Sequence, residues 1–291
     1  MAAAPQDMVE ARKPAWRRAL SHGPLNVFLI LMALFWMTPT FGLFVTSFRT
    51  AGDSADSGWW TVFTEPRQLT LEPYKQLLDN EGLVTAIVNT VKITVPSSIL
   101  VVLVAALAAY AFAWIDFKGR EPLFLLVIAL LVVPLQMALI PIARLFGNVG
   151  IFGTVWAAIL FHVAFGLPFA IFLLRNFFIG IPHELLEAAR IDGASEWAIF
   201  SKIVMPLGMP AIASLLIFQF LWTWNDLLVG LVFTDPSSAP ITVFIRDQLR
   251  QFGSNLEVIA PAAFLSMIVP LIVFFAFQRY FVQGLLAGSI K

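Results

Sequence analysis

Long apolar stretches separated by short polar segments dominate the hydropathy pattern of the chain. Six such stretches can be delimited, at about residues 25–48, 86–114, 122–143, 151–174, 208–233 and 258–282. Each is long enough to cross the hydrocarbon core of a bilayer, which requires about 20 mostly apolar residues in a helix. The stretches lack the alternation of barrel strands, and at this length only helices satisfy their own backbone in lipid. The pattern therefore predicts an all-α membrane protein with six transmembrane helices.

Composition agrees with a membrane protein and excludes several other classes. The 291 residues are 59% hydrophobic and 12% charged, whereas a soluble domain usually carries about 25% charged residues. The 18 Lys and Arg residues cancel the 18 Asp and Glu residues, so the basic surplus of a nucleic-acid-binding protein is missing. The chain has no cysteine, which excludes disulfides, thiolate metal sites and a cysteine nucleophile.

Lys and Arg positions predict the orientation, because these residues accumulate on the cytoplasmic side of membrane proteins. With the N-terminus in the cytoplasm, the predicted inside segments hold more Lys and Arg than the outside segments do, including a cluster within residues 12–18. An even number of spans then places both termini in the cytoplasm. Residues 1–24 are accordingly predicted to form a cytoplasmic tail, and residues 25–291 a transmembrane domain.

The inside loop between the fourth and fifth spans, about residues 175–207, has the pattern of a helix–turn–helix. Pro182 suits the first position of a helix, and Glu184 and Glu187 suit its first turns, where carboxylates complement the helix dipole. Gly193 suits the residue that ends this helix in a left-handed conformation. The predicted apolar face consists of Leu185, Leu186, Ala189 and Ile191. Two interpretations remain open at this point: helices that lie on the lipid surface, or a docking element for a soluble partner.

A family resemblance rests on this loop and on two further motifs. The sequence Glu187-Ala188-Ala189-Arg190-Ile191-Asp192-Gly193-Ala194, followed by Ile203-Val204-Met205-Pro206, resembles the EAA loop of ABC importer permeases, with Met205 in the usual Leu position. Trp224-Asn225-Asp226 resembles the Trp-Asn-Glu/Asp of the fifth span in that family. The C-terminal sequence from Gln278 to Lys291 is similar to the ending of the shorter, six-span permease of maltose-type importers.

The resemblance implies a non-catalytic permease subunit, multi-pass in a bacterial inner membrane, that moves a sugar or oligosaccharide into the cytoplasm by alternating access. An α-glucoside is the solute that overall similarity suggests. The implied partners are a second permease subunit, two cytoplasmic ATPase subunits and an extracytoplasmic solute-binding protein. ATP and Mg would bind the ATPases, so no cofactor is expected in this chain, which contains no Gly-x-x-x-x-Gly-Lys-Ser/Thr phosphate loop. The alternatives are an ABC importer permease for another solute and a gradient-driven secondary transporter.

The resemblance also assigns candidate roles to residues. The expected ATPase-coupling residues are Glu184, Glu187, Ala188, Ala189, Asp192 and Gly193. The candidates for the translocation path or the bundle core are Trp222, Trp224, Asn225, Asp226 and Asn89. An acidic residue inside a span is costly and marks a functional or structural site. Asp226 is therefore expected to line a sugar path, to pair with a residue such as Lys92, or to cap a broken helix. Three scattered histidines give no support for a metal site.

Overall fold

The protein folds into helices that connect through short loops, as seen in a computed structural model. The structure describes residues 15–252 and 256–287, and the side-chain surroundings of residues 23–249 and 258–278. The first helices are α1 (Ala15–Thr46), α2 (Ala51–Asp56), α3 (Glu72–Leu78), α4 (Glu81–Trp114), α5 (Arg120–Leu130), α6 (Leu135–Asn148) and α7 (Val155–Ile179). They are followed by α8 (His183–Ile191), α9 (Glu196–Ile199), α10 (Met205–Trp224), α11 (Leu228–Phe233), α12 (Ile241–Phe252) and α13 (Leu256–Ala287).

Five helical segments in the described part of the chain are long and apolar enough to cross a membrane. They are Gly23–Thr46, Glu81–Trp114, Val155–Ile179, Glu196–Trp224 and Val258–Gln278. The third predicted span is different, because α5 and α6 meet at an angle of 101°. Pro134 accounts for the break, since proline lacks an N–H and keeps the residue before it out of helical geometry. The third predicted span is thus a broken pair of helices, and the chain has six spans if this pair counts as one.

The fifth span also ends earlier than its apolar pattern predicts. Helix α10 ends at Trp224, and residues 225–227 form a break before α11. The placement of Asp226 inside a membrane helix was therefore wrong, because it lies in this break. At the N-terminus, α1 begins at Ala15, so the predicted tail 1–24 includes the first turns of a helix. The side chains of the C-terminal motif beyond Gln278 lie outside the described residues.

Helix α4 forms the centre of the bundle and packs against α7 and α10. Small residues permit the close approach of these helices, as is usual for helix pairs in membranes. A Cβ on Gly166 of α7 would come within 2.8 Å of Gln219 Oε1 on α10, so a larger side chain does not fit there without movement. By contrast, α1 leaves most of its apolar surface exposed in the isolated chain, as expected of a helix that faces lipid or another subunit.

Candidate functional site

The loop between α7 and α10 is a helix, a tight turn and a second helix. Helix α8 ends at Ile191, and Gly193 follows with φ of +80°, a conformation that glycine adopts without the strain of a Cβ. The amide of Ala194 donates to the carbonyl of Ala189 at 2.9 Å, which closes the turn. Ser195 Oγ then accepts from the amide of Ala198 at 3.3 Å and caps α9.

The predicted apolar face of α8 is divided between two sides. Leu186 is fully buried in the bundle core and anchors the helix. Leu185 and Ile191 point away from the bundle and are 47% and 85% exposed, and Trp197 of α9 is 67% exposed. The prediction that Leu185, Leu186 and Ile191 share one face was therefore wrong. The outward residues Leu185, Ile191 and Trp197 are named the loop patch below.

Charged side chains border the loop patch. Glu184, Glu187 and Asp192 are all exposed, and His183 Nδ1 lies 3.1 Å from Glu187 Oε1. Ala188 is exposed on the same helix, whereas Ala189 is half-buried against the core. The predicted coupling residues thus lie together at the surface, apart from Ala189, on a short helix and the turn that follows it, and the bundle holds this helix through Leu186.

A polar cluster on three helices fixes the loop to the end of α4. Arg190 Nε donates to Glu196 Oε1 at 2.9 Å, and Arg190 Nη2 donates to the carbonyl of Trp114 at 3.3 Å. The hydroxyl of Tyr110 donates to the other oxygen of the Glu196 carboxylate. The hydrogen bond that Arg190 donates to the Glu196 carboxylate raises the pKa of Arg190 above its ordinary value, so the arginine stays charged. Tyr110, Arg190 and Glu196 are named the loop clamp below.

Sequence reasoning missed the loop clamp as a unit. Tyr110 lies in an apolar span, and 86 positions separate it from Glu196. The available signal was a tyrosine among alanines near the end of a span, since a buried tyrosine usually places its hydroxyl near a partner. That signal does not identify the partner, which depends on how α4 and α9 pack.

Side chains of Asp226 and of Thr242 on α12 bond to backbone groups at the break after α10. Asp226 Oδ1 accepts from the amide of Val229 at 2.7 Å and so caps α11, and the hydroxyl of Thr242 donates to the Asp226 carbonyl at 2.7 Å. Lys92 is exposed, and the salt bridges among the described residues include none between Lys92 and Asp226. The structure therefore gives Asp226 the capping geometry rather than the pairing with Lys92.

The neighbouring candidates have different surroundings. Trp224 is buried, stacks on Phe220 and donates from Nε1 to the carbonyl of Ser266 at 3.0 Å. Trp222 is half-buried and meets the His162 ring edge-on at 5.7 Å between ring centres. Asn225 is exposed, and its side chain donates to the carbonyl of its own helix at Leu221. These residues do not converge on one pocket.

Asn89 and its neighbour Thr90 anchor the loop that follows α11. The Asn89 amide donates to the carbonyls of Ser237 and Ala239 at 2.9 and 3.3 Å. Thr90 Oγ1 accepts from the amide of Ile241 at 2.8 Å. Asn89 and Trp114 are about 38 Å apart along α4 at 1.5 Å per residue. The predicted coupling and path residues thus lie at opposite ends of the bundle, the α8 end and the α12 end.

Comparison with known proteins identifies the family. Residues 101–286 match the family described as binding-protein-dependent transport system inner membrane component. The osmoprotective compounds uptake permease protein GgtD of Synechocystis sp. is 46% identical over 273 residues, 92% of this chain and 92% of that protein. The α-glucoside transport system permease protein AglG of Rhizobium meliloti is 47% identical over 254 residues, 85% of this chain and 67% of that protein.

Solved structures agree on the fold. A chain in the crystal structure of a bacterial ABC transporter involved in the import of alginate, an acidic polysaccharide, superposes with a TM-score of 0.78. That match has 21% identity and covers 91% of this chain and 98% of the other. The chain belongs to the binding-protein-dependent transport system inner membrane component family. It is a multi-pass inner-membrane permease of an ABC importer, and its relatives are transport subunits rather than enzymes.

The loop clamp is testable through the variant Glu196→Gln, which removes the charge that Arg190 faces. We expect amide exchange in α8 to accelerate by about 5- to 10-fold, since a lost charge-assisted hydrogen bond is worth about 1 kcal/mol or more. Hydrogen–deuterium exchange with mass spectrometry measures this change. Glu121→Gln is the matched control, because Glu121 also faces arginines but lies on α5 rather than in this loop. Equal exchange of α8 in both variants would contradict the clamp.

The capping of α11 by Asp226 leads to a second prediction. Asp226→Asn retains an oxygen acceptor for the Val229 amide, whereas Asp226→Ala removes it. We expect the alanine variant to melt about 2–4 °C lower than the asparagine variant in a detergent thermal-shift assay. If the asparagine variant melts normally but loses transport, the carboxylate acts on the solute and the cap alone does not explain Asp226.

Proposed function

We propose that this permease subunit imports a sugar or oligosaccharide, with α-glucosides as the leading class. The support is the likeness to AglG, whose name specifies α-glucosides, across 85% of this chain. Other relatives carry sugar names, such as the melibiose/raffinose/stachyose import permease protein MelC of Bacillus subtilis. GgtD, named for osmoprotective compounds, favours a second candidate class of small polar osmolytes.

The observation that carries the coupling mechanism is the loop patch. Leu185, Ile191 and Trp197 expose large apolar side chains on a short element with an acidic border. A helix with exposed apolar residues fits a groove of a soluble partner. In the proposed topology the α8 end is cytoplasmic, as the Lys and Arg distribution favours. The loop patch then docks on one ATPase subunit, with Glu184, Glu187 and Asp192 facing basic groups beside the groove.

The proposed assembly contains this chain, a second permease subunit, two ATPases and an extracytoplasmic solute-binding protein. ATP and Mg bind to the ATPases, and this chain holds no cofactor. Both termini are cytoplasmic in this proposal. The binding protein delivers solute at the α12 end, where the loop held by Asn89 lies.

The loop clamp provides a path for the coupling. Closure of the ATPases displaces α8, and the link from Arg190 through Glu196 to Tyr110 passes that displacement to α4. Leu186 seats the same helix in the core between the long helices. Movement of the core then changes the access of solute at the α12 end. This would give alternating access without any ATP chemistry in this chain.

The coupling proposal predicts a strong effect of Ile191→Glu. A carboxylate at the centre of an apolar contact loses its hydration on docking, and losses of about 2 kcal/mol, or about 30-fold in affinity, are typical of such positions. We expect ATP hydrolysis stimulated by solute to fall at least 10-fold in the purified assembly. Leu78→Glu is the matched control, because Leu78 is also exposed but lies on α3 near the opposite end of α4. Unchanged stimulation in the Ile191 variant would refute docking at the loop patch.

The solute class is tested with the complete transporter in proteoliposomes. We expect uptake of radiolabelled α-glucoside disaccharides to exceed that of β-linked disaccharides at least 10-fold, and ATP hydrolysis to respond in the same order. Small osmolytes are assayed in parallel. Uptake of osmolytes without uptake of α-glucosides would transfer the assignment to the second class, and uptake that persists without ATP would refute the ATP-driven mechanism.

A further inference from the structure

A small polar cavity lies where α4 and α7 meet the break after α10. Its polar lining consists of Thr90, Thr94, His162, Thr223 and Asp226, and apolar residues close the remainder. The cavity volume is about 10 Å³, which is about the space that the centre of one water molecule needs. The site is distinct from the loop patch, since it lies towards the other end of the bundle.

Two buried atoms at this cavity have no hydrogen-bond partner among the described residues. They are Thr94 Oγ1 and His162 Nδ1, on side chains of residues that are 0% and 2% exposed. Buried polar groups in folded proteins nearly always have a partner, so two unpartnered atoms at one cavity require a common explanation. Their residues sit on different helices, α4 and α7, and both line the same small space.

Thr94 differs from the hydroxyl residues around it on α4. Thr90 donates to the carbonyl of Ala86 at 2.7 Å, Ser97 to that of Ile93 at 2.6 Å, and Ser98 to that of Thr94 at 2.7 Å. A hydroxyl inside a helix commonly bonds to the carbonyl four residues earlier. Thr94 does not make this bond, and its hydroxyl lines the cavity instead.

Asp226 adds the acceptor that a bridging ligand requires. Its Oδ1 caps the amide of Val229, but an ionised carboxylate has about four acceptor sites and retains capacity for a further donor. A neutral histidine nitrogen either donates or accepts, and the Thr94 hydroxyl does both. One water molecule, with two donors and two acceptors, complements all three groups at once.

We propose that the cavity binds one structural water molecule that bridges Thr94, His162 and Asp226. The water joins α4, α7 and the break after α10, so it holds the start of α11 in place relative to the core. A single carboxylate with hydroxyls does not make a divalent metal site, and no group of three His, Cys, Asp or Glu residues that could hold a metal occurs in the described part of the chain. The inference is independent of which solute the transporter carries.

Two substitutions at Thr94 separate the hydroxyl from the shape of the side chain. Thr94→Val keeps the shape and removes the hydroxyl, whereas Thr94→Ser keeps the hydroxyl and removes a methyl group. With water bound, we expect Thr94→Val to lower the melting midpoint of the purified protein by about 2–6 °C and Thr94→Ser to lower it less. Thr46→Val is the control, because the Thr46 hydroxyl is also buried but bonds to the carbonyl of Gly42, and Thr46 is not among the residues that line this cavity.

The melting midpoint of Thr94→Val also shows whether the proposal is wrong. If no ligand bridges these groups, Thr94→Val removes an unsatisfied hydroxyl, and the midpoint rises or stays equal to that of the unmodified protein. That outcome would overturn the proposal. The melting midpoint is also measured in sodium chloride and in choline chloride at equal ionic strength. Equal midpoints in the two salts support a bound water molecule. A midpoint that is higher in sodium chloride, with no such difference in Thr94→Val, would assign the cavity to a monovalent cation and overturn the proposal of a water molecule.

Discussion

Backbone polar groups that face lipid have no water to bond to, and this constraint decides where the chain departs from helix. Irregular backbone is tolerated at membrane depth only where protein buries it or where it lines a water-filled cavity. The break after α10 meets this condition with side chains from its own segment and from α12, through Asp226 and Thr242. The following loop takes Asn89 and Thr90 of α4 as its partners. A motif of Asn and Asp within apolar sequence is therefore explained by the backbone it supports.

Helix α4 connects the two ends of the molecule. At one end Asn89 holds the loop before α12, and at the other end the Trp114 carbonyl bonds to Arg190 and the Tyr110 hydroxyl bonds to Glu196. Its small residues Ala105 and Ala109 are fully buried, which brings the neighbouring helices close. A helix that is packed along its length transmits displacement better than a loop does, because close-packed interiors resist compression. This arrangement gives the proposed coupling a structural route between the α8 end and the α12 end.

Hydropathy predicted the class of fold and the five intact spans, because apolar length depends on local composition. It did not show the bend within the third span or the early end of the fifth, where Pro134 and the 225–227 break interrupt apolar runs that hydropathy averages over. The turn at Gly193 was predictable, since a left-handed position has few suitable residues. The exposure of Leu185 and Ile191 was not predictable, because it depends on which face of α8 packs into the core with Leu186. The loop clamp and the polar cavity depend on contacts between distant segments, and local pattern does not identify the partners in such contacts.

The continuity of the loop with the next span makes the coupling geometry specific. Residues from Glu196 to Trp224 form one continuous helical span, so the clamp residue Glu196 begins the rod whose other end is the break at Asp226. Residues Phe200–Val204 are wound as a π-helix ahead of Pro206, a wider form that often marks functional positions. Helices bend sharply at a few kinds of position, among them π-bulges and prolines. In the proposed mechanism, motion of α8 rotates this rod about its widened segment and moves the break, while the hydrogen bonds of Asn89 keep the adjoining loop on α4.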